Sequence, residues 1–368
     1  MRRTHRWIAT TALAVVTAAV TALVLVPSVA AADIVATPVT GASLQAPTAF
    51  TFDPDGLIWY GERVSGQIRI LDPSTEDDSL FATVPRVSGE GERGLLGIAL
   101  HPRYPDRPFV YVYASRTIDG RHRNQILRYR DESGSGTNRT VIWSSPDSAS
   151  STNHNGGHIA FGPDGMLYAV VGEDAVPANS QDLTNNDRGK MLRMTPAGRV
   201  PAKNPFDNRI FAYGIRNSFG FAFDPRTGDL WESENGPECN DELNRIRRGR
   251  NYGWGPHQDC GEGTAPRNTN RDGPRPVLPE RWWTPTIAPT GVAFCRRCGL
   301  GVKSRGRLFM ADWKQGEIRR LSLNAERNRV RNQRVVFDHS SGIFSLEAGP
   351  GGDLYFSDPT GIYLLERQ

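Results

Sequence analysis

The sequence has few lysines and little net charge, and the low net charge argues against some binding functions. Only four of its 44 basic residues are lysines, and the formal charge is +4 at pH 7. Three of the positive charges, Arg2, Arg3 and Arg6, precede the first acidic residue, Asp33. The remainder of the chain therefore carries about +1, which gives no reason to expect binding to nucleic acid or to an anionic membrane surface.

The sequence also lacks long apolar runs, except at its N-terminus. Residues 7–26 are largely apolar, follow a basic start and lead into the small residues 28–32. This order is typical of a secretory signal peptide, which we predict over residues 1–31. A membrane anchor is the alternative, because about 20 apolar residues can cross a bilayer. We expect cleavage, a secreted protein without a membrane segment, and a single domain over residues 32–368.

Cysteines are scarce, and all four lie in the C-terminal part of the chain, at Cys239, Cys260, Cys295 and Cys298. An even number in an exported chain favours two disulfides, for which three pairings exist. We favour Cys239 with Cys260 and Cys295 with Cys298. The Cys-Arg-Arg-Cys spacing also fits half of a zinc site or a redox dithiol, but no second such pair or nearby histidine completes a zinc site.

Turn residues are abundant, with 38 Gly and 26 Pro in short groups along the chain. They separate the parts of a repeat that consists of an apolar run, a Pro/Gly turn, a Leu-aromatic strand and an Ile-Arg-Leu-like strand. The apolar runs begin near residues 50, 98, 159, 221, 292 and 346. Six units of roughly 56 residues suit four-stranded blades, so we predict an all-β, six-bladed β-propeller.

Two further features of the propeller follow from the same pattern. Such rings are closed by strands from both termini, and residues 34–39 are expected to share a blade with the C-terminal strand. Long insertions are expected at about 131–157 and 251–288, before the third and fifth blades. Loops of that length in a compact fold are usually functional.

A turn rich in Gly and Asn precedes the third apolar run and contains His154. A free imidazole titrates near neutral pH and is suited to general base catalysis. Asp174 lies at the end of the following strand, where it could orient His154. The alternative is that His154 only makes hydrogen bonds within its loop.

An acidic loop over residues 232–242 contains Gly and Pro between its carboxylates. Carboxylate and backbone carbonyl oxygens in irregular loops are suitable ligands for Ca²⁺. The loop lacks EF-hand spacing, and a solvated acidic loop without metal is the alternative.

Several motifs occur in one order along almost the whole chain after residue 31. They are Gly-Glu-Arg-Gly-Leu-Leu-Gly, Asn-His-Asn-Gly-Gly, Arg-Asn, Ser-Glu-Asn-Gly-Pro, Asn-Tyr-Gly-Trp and Pro-Thr-Ile-Ala-Pro, beginning at residues 91, 153, 216, 233, 251 and 285. Together they resemble the glucose/sorbosone dehydrogenase family, whose members are soluble sugar dehydrogenases that use pyrroloquinoline quinone (PQQ) and are built on six-bladed propellers.

The resemblance implies catalytic roles for His154, Asp174 and Arg216 and a cofactor-binding role for Asn217. His154 would take the hydroxyl proton from the anomeric carbon of the sugar while hydride moves to the quinone, and Asp174 would orient that base. Arg216 and Asn217 would lie against the quinone, where the arginine would stabilise charge on the reduced cofactor.

The resemblance also implies binding roles. Gly236 and Pro237 would contribute backbone carbonyls to a calcium ion, which acts as a Lewis acid on the quinone carbonyl. Lys314 would contact the cofactor, and Glu92 would lie near the substrate.

The chain departs from the family at one place. Glucose-oxidising members hold the PQQ carboxylates with an Arg-x-Arg pair, and residues 342–345 here are Gly-Ile-Phe-Ser. We expect a PQQ- and calcium-dependent dehydrogenase that oxidises an aldose or related small-molecule sugar at C1 to a lactone, with an unidentified electron acceptor. The alternatives are a cofactor-free propeller that binds carbohydrate or a partner, and a calcium-dependent lactonase.

Overall fold

Each of the six repeats forms a four-stranded antiparallel sheet in the computed structural model, which describes residues 33–148, 151–184 and 186–368. The predicted all-β, six-bladed propeller is therefore confirmed. The predicted signal peptide, residues 1–31, lies outside the described residues. Within the described ranges, no helix has the length and apolar character needed to cross a membrane.

The strands follow the repeats in chain order. The first three blades comprise β2 (Pro47–Phe52), β3 (Ile58–Glu62), β4 (Gln67–Leu71) and β5 (Asp78–Thr83), then β6 (Leu95–Leu100), β7 (Phe109–Ile118), β8 (Arg121–Glu132) and β9 (Ser135–Ser144), then β10 (Ile159–Phe161), β11 (Leu167–Val171), β12 (Lys190–Met194) and β13 (Ile210–Tyr213). The fourth and fifth comprise β14 (Ser218–Phe223), β15 (Leu230–Glu234), β16 (Asp241–Ile246) and β17 (Arg281–Trp283), then β18 (Pro289–Phe294), β19 (Leu308–Asp312), β20 (Glu317–Leu323) and β21 (Val330–Asp338). The sixth comprises β22 (Ser345–Ala348), β23 (Leu354–Ser357), β24 (Ile362–Arg367) and β1 (Ile34–Pro38).

The apolar core lies between the blades. Six buried clusters are present, and each joins the facing sheets of two neighbouring blades. Strands such as β3, β11 and β19 are buried along their whole length because both of their faces pack against another sheet. This explains why the sequence shows continuous apolar runs instead of strict alternation.

The ring is closed by the two ends of the described chain. Strand β1 pairs antiparallel with β24, with Ile34 opposite Arg367 and Pro38 opposite Tyr363. It forms the outermost strand of the sixth blade, so the predicted shared blade is confirmed.

The two predicted insertions differ in the structure. Residues 131–144, about half of the segment 131–157, belong to the second blade, since β8 and β9 form a long hairpin with its turn at Ser133 and Gly134. The expectation of an insertion is therefore wrong for residues 131–144. Residues 251–288 do form a long excursion, with a single 3₁₀ turn at Pro266–Asn268 before β17.

Both favoured cysteine pairings are present as disulfides. Cys239–Cys260 ties the acidic loop to the excursion that follows β16, and Cys295–Cys298 closes a short turn after β18. The described residues contain no free cysteine.

Candidate functional site

The first strand of each blade lies next to the ring axis. Two cavities lie at the opposite ends of these strands. The upper cavity, of about 390 Å³, is lined at the beginnings of these strands by residues that include Thr48, Glu92, Leu96, Phe219 and Thr290. The lower cavity, of about 410 Å³, is lined at their ends by residues that include Phe52, Leu100, Phe161 and Ala348. His158 lines both cavities.

His154 is held beside the upper cavity by a tight approach of two backbone segments. Its own φ is +59°, and its carbonyl accepts a hydrogen bond of 3.1 Å from the backbone N–H of Asp174. A Cβ atom at residue 172 would overlap the His154 carbonyl, so this approach requires Gly172. The strained backbone at His154 fixes the direction of its imidazole.

The imidazole of His154 contacts Glu173. The Nδ1 atom lies 2.6 Å from Oε1 of Glu173, and both side chains are largely buried. Because a carboxylate only accepts hydrogen bonds, this contact places the proton on Nδ1 and leaves the Nε2 lone pair free. The pair therefore has the geometry of a general base and its orienting carboxylate.

The carboxylate predicted for this role, Asp174, is not the one that contacts the ring. Asp174 has a φ of +64°, and its side chain contacts other groups. Its Oδ1 accepts a hydrogen bond of 2.5 Å from Ser148, and its Oδ2 lies 3.5 Å from Nε of Arg188. Asp174 thus fixes the backbone beneath His154, and Glu173 orients the imidazole; adjacent acidic residues in the sequence give no signal that separates the two.

Glu92 and Asn217 join the histidine loop to the cavity wall. Oε2 of Glu92 accepts a hydrogen bond of 2.7 Å from the backbone N–H of His154 and one of 3.2 Å from Nδ2 of Asn217. The side-chain oxygen of Asn217 accepts a hydrogen bond of 3.1 Å from the N–H of Gly156. Both predicted residues therefore lie together with His154.

Arg216 is surrounded by acidic groups. Its Nη1 donates to the carbonyl of Asn235 at 3.0 Å, and its Cζ lies 5.3 Å from the centroid of the Trp254 ring. Burial lowers the pKa of its guanidinium, while the charges of Glu173 and Glu234 oppose this shift. Its Nε is buried and has no hydrogen-bond partner in the described part of the chain.

The loop that carries Gly236 and Pro237 is fixed by Asp241. Oδ1 of Asp241 accepts a hydrogen bond of 2.8 Å from the N–H of Gly236. Its Oδ2 accepts hydrogen bonds of 2.6 and 2.7 Å from the N–H groups of Ile287 and Ala288. One carboxylate therefore connects the two loops at this edge of the cavity, a role that the sequence analysis did not assign.

Lys314 lies on the same edge, although its side chain points along the loop. Its ammonium donates to the hydroxyl of Thr286, and its backbone N–H donates to the carbonyl of Ile287 at 3.1 Å. The neighbouring Trp313 lines the cavity and stacks on Phe344, with the ring centroids 5.1 Å apart and the planes 12° apart. No sequence pattern indicates this aromatic pair, because its two residues lie in different repeats.

A cluster of buried carboxylates lies behind Arg216. The side-chain amide of Asn244 donates to Glu232, Glu234 and Glu242 at 3.4, 3.1 and 3.1 Å. Burial raises the pKa of all three carboxyl groups. Glu234 connects this cluster to the site, since its Oε1 accepts a hydrogen bond of 2.5 Å from the backbone N–H of Arg216.

A second titratable pair lies between the two cavities. Nδ1 of His158 is 4.0 Å from Oε1 of Glu347. Burial lowers the pKa of His158 to about 4 and raises the pKa of Glu347 to about 8. Both groups are therefore neutral near pH 7.

Solved structures show the same fold. An oxidoreductase (glucose dehydrogenase) from Thermus thermophilus is 33% identical, superposes with a TM-score of 0.78 and matches 90% of this chain and 99% of its own. The PQQ-bound form of aldose sugar dehydrogenase from Streptomyces coelicolor is 28% identical, with a TM-score of 0.76 over 92% of this chain and 99% of its own.

A characterised relative and a family model agree with these structures. The quinoprotein glucose dehydrogenase B of Acinetobacter calcoaceticus is 31% identical over 58% of this chain and 50% of its own length. The model of the glucose/sorbosone dehydrogenase family matches residues 44–362. This range contains all of the site residues described above, and the chain therefore belongs to the glucose/sorbosone dehydrogenase family of oxidoreductases.

Proposed function

We propose that this chain is a secreted, PQQ- and calcium-dependent dehydrogenase that oxidises an aldose or a related sugar at C1 to a lactone. The observation that carries the proposal is the contact of 2.6 Å between His154 and Glu173. Glu92, which lines the upper cavity, accepts a hydrogen bond from the backbone of His154 and so links the histidine to the cavity wall. A sugar entering this cavity would meet a base with a defined tautomer. The secreted location rests on the N-terminal sequence alone, and the electron acceptor is not identified by the site.

The proton transfer follows from the tautomer of His154. Glu173 holds the proton on Nδ1, so Nε2 would accept the hydroxyl proton from C1 of the sugar. The negative charge of Glu173 would then stabilise the imidazolium that forms. Glu92 holds the histidine loop in place and presents its carboxylate to the sugar hydroxyl groups in the cavity.

One buried polar atom supports a bound polar cofactor. Nε of Arg216 lacks a hydrogen-bond partner among the described residues. Leaving such a donor unpaired costs about 1–3 kcal/mol, so a ligand that accepts a hydrogen bond from it is favoured. When bound, PQQ supplies the quinone that accepts hydride from C1, and Arg216 and Asn217 would hold it on this side of the cavity.

Calcium would bind at the same edge of the site through backbone oxygens. The carbonyls of Gly236 and Pro237 would hold the ion together with oxygens from the cofactor, because Ca²⁺ accepts backbone carbonyl ligands in irregular loops. Among the described residues, no group of three or more His, Cys, Asp or Glu side chains is arranged to hold a metal. Asp241 and Lys314 support the two loops around the carbonyls of Gly236 and Pro237.

One wall of the cavity fits a tri-anionic cofactor poorly. Residues 342–345, where the Arg-x-Arg pair of the glucose-oxidising members is expected, are Gly-Ile-Phe-Ser and offer no guanidinium to a carboxylate. This observation favours the second candidate function, a propeller that binds carbohydrate without a quinone.

Reconstitution separates the two candidates. The protein comprising residues 32–368 is titrated with PQQ in the presence of calcium, and dye reduction is followed with a panel of aldoses. We expect micromolar PQQ binding and sugar-dependent turnover that His154→Ala abolishes while PQQ binding remains. If PQQ does not bind at micromolar concentration, the dehydrogenase proposal is wrong; sugar binding under those conditions would support the binding module.

A further inference from the structure

The charge of the chain is distributed unequally among the blades. The fifth blade, residues 289–338, contains twelve basic and four acidic residues, which give it a net charge of +8. Because the chain after residue 31 carries about +1, the residues outside this blade carry about −7. The net charge of the whole chain therefore does not describe the charge that the fifth blade presents.

The arginines of this blade have two kinds of surroundings. Arg319 is largely buried and pairs with Asp312 and Glu317. Arg327 is also largely buried and pairs with Asp224 of the fourth blade. Six other arginines are exposed or half-buried and form no ion pair with a carboxylate in the described part of the chain. These six, which we call the basic face, are Arg305, Arg307, Arg320, Arg329, Arg331 and Arg334.

The basic face lies at the lower end and the outer edge of the fifth blade. Two of its arginines are on β21, which is the outermost strand of the blade. Arg305 and Arg329 lie in the turns after β18 and β20, two strands that both run toward the lower end of the ring. These turns touch, since Arg327 donates a hydrogen bond of 2.9 Å to the carbonyl of Gly306. The face is therefore directed away from the upper cavity.

Two arginines of the basic face lie directly opposite one another on neighbouring strands. Arg320 on β20 is the register partner of Arg334 on β21. Burial lowers the pKa of Arg320, and the positive charges of Arg307 and Arg334 lower it further. Arg320 donates to the hydroxyl of Ser304 at 3.3 Å, which is a neutral partner. Because like charges at opposite positions destabilise a sheet, an anion bound between these guanidinium groups would relieve their repulsion.

The chemistry of the basic face suits a polyanion. Guanidinium groups pair with phosphate and carboxylate through two parallel hydrogen bonds. The exposed large apolar side chains beside these arginines are two valines, Val302 and Val335, whereas interfaces between folded proteins are enriched in aromatic residues. We propose that the basic face binds a linear polymer with repeating phosphate or carboxylate groups, such as an anionic polymer of the cell surface. The bound polymer would hold the protein and leave the upper cavity open.

Binding is measured for the protein comprising residues 32–368 on immobilised polyphosphate and polygalacturonate, with dextran as the neutral polymer. We expect binding to an anionic polymer that weakens as the NaCl concentration rises, and no binding to dextran. Binding to polyphosphate alone would assign phosphate as the recognised group, and binding to polygalacturonate alone would assign carboxylate. Arg329→Gln, Arg331→Gln and Arg334→Gln combined should weaken binding about tenfold or more at low salt and make it less salt-dependent.

The matched control is a triple variant of the second blade. Arg121→Gln, Arg130→Gln and Arg139→Gln remove three exposed arginines of β8 and β9 and change the net charge equally. We expect this variant to bind as the unaltered protein does. Equal losses in the two triple variants would show that only net charge matters and would overturn the inference. The absence of binding to both anionic polymers would also overturn it.

A measurement of folding tests the repulsion within the basic face. Arg334→Gln should raise the urea midpoint, because it removes the like charge opposite Arg320. The rise should shrink at about 1 M NaCl, where salt screens the repulsion. A lower midpoint would contradict the repulsion on which the inference rests. Neither measurement requires PQQ or turnover, so failure of the dehydrogenase proposal would leave this inference unchanged.

Discussion

The Nδ1 atom of His154 lies 2.6 Å from Oε1 of Glu173, and the next residue, Asp174, bonds instead to Ser148. The two carboxylates follow one another in the chain but have different tasks. Glu173 sets the tautomer of the imidazole, and Asp174 supports the backbone that carries it.

Glu173→Gln should lower kcat by about 100-fold or more, because an amide can donate to Nδ1 and thereby place the proton on Nε2. Steady-state rates and their pH profile measure the effect. Asp174→Asn is the matched control, and we expect it to reduce stability while leaving the shape of the pH profile unchanged. Equal losses of kcat in the two variants would contradict the assignment of Glu173.

Arg216→Lys should weaken PQQ binding about tenfold. The ammonium keeps the positive charge but cannot reproduce the planar donor set that includes the unpaired Nε atom. Fluorescence titration with PQQ measures the affinity. Arg248→Lys serves as the control, because Arg248 donates to the carbonyl of Lys203 on the protein surface. Unchanged affinity in Arg216→Lys would show that Arg216 does not contact the cofactor.

Asp241→Asn should destabilise the protein by about 2 kcal/mol and raise the calcium concentration needed for activity. The amide loses charge-assisted hydrogen bonds to the N–H groups of Gly236, Ile287 and Ala288. Urea unfolding and a calcium titration of activity measure the two effects.

Asp229→Asn is the control for this change. It breaks an ion pair of 3.0 Å with Arg245 that is partly exposed, and such pairs contribute little to stability. A calcium dependence that does not change in Asp241→Asn would exclude a role for this carboxylate in positioning the loop.

Glu347→Gln should stabilise the protein increasingly as the pH rises from about 4.5 to about 8. Burial raises the pKa of Glu347 to about 8, so the folded state retains a proton that the unfolded state releases above about 4.5. The contribution of Glu347 to the free energy of unfolding is complete below about pH 4.5 and is lost as the pH rises through about 8. Because glutamine cannot ionise, the variant keeps its stability over this pH range.

Urea midpoints of Glu347→Gln and the unaltered protein at pH 5 and pH 8 measure the difference, which we expect to reach about 1–2 kcal/mol. Glu132→Gln, an exposed position on the hairpin of the second blade, should show no such trend. A difference that shrinks toward pH 8 would contradict the burial of Glu347 as a neutral acid.

Much of the fold was predictable because its signal is local and repeated. Each apolar run followed by a Pro/Gly turn became the first hairpin of a blade, and residues 34–38 closed the ring as expected. The expected insertion at 131–157 was wrong for residues 131–144, and the reason is physical. Strand β9 is polar and exposed along much of its length, so it has no apolar pattern by which a strand could be recognised.

The site was predictable to the level of its loops. The motifs located His154, Glu92, Arg216 and Asn217 correctly in one neighbourhood, because each lies in a loop at the start of a blade. They could not select between Glu173 and Asp174, since the choice depends on which side chain reaches the imidazole in the folded chain.

The sequence alone determined the number of blades and the strand that closes the ring, and it favoured the two disulfide pairs that the structure contains. The blades follow from a pattern repeated along the chain, and each disulfide joins cysteines that are close in the chain. Only the tertiary structure decided which carboxylate orients His154, that Asp241 joins two loops, and that Trp313 stacks on Phe344. Those contacts depend on the direction in which each side chain points. They also depend on residues from different blades, which come together only when the ring closes.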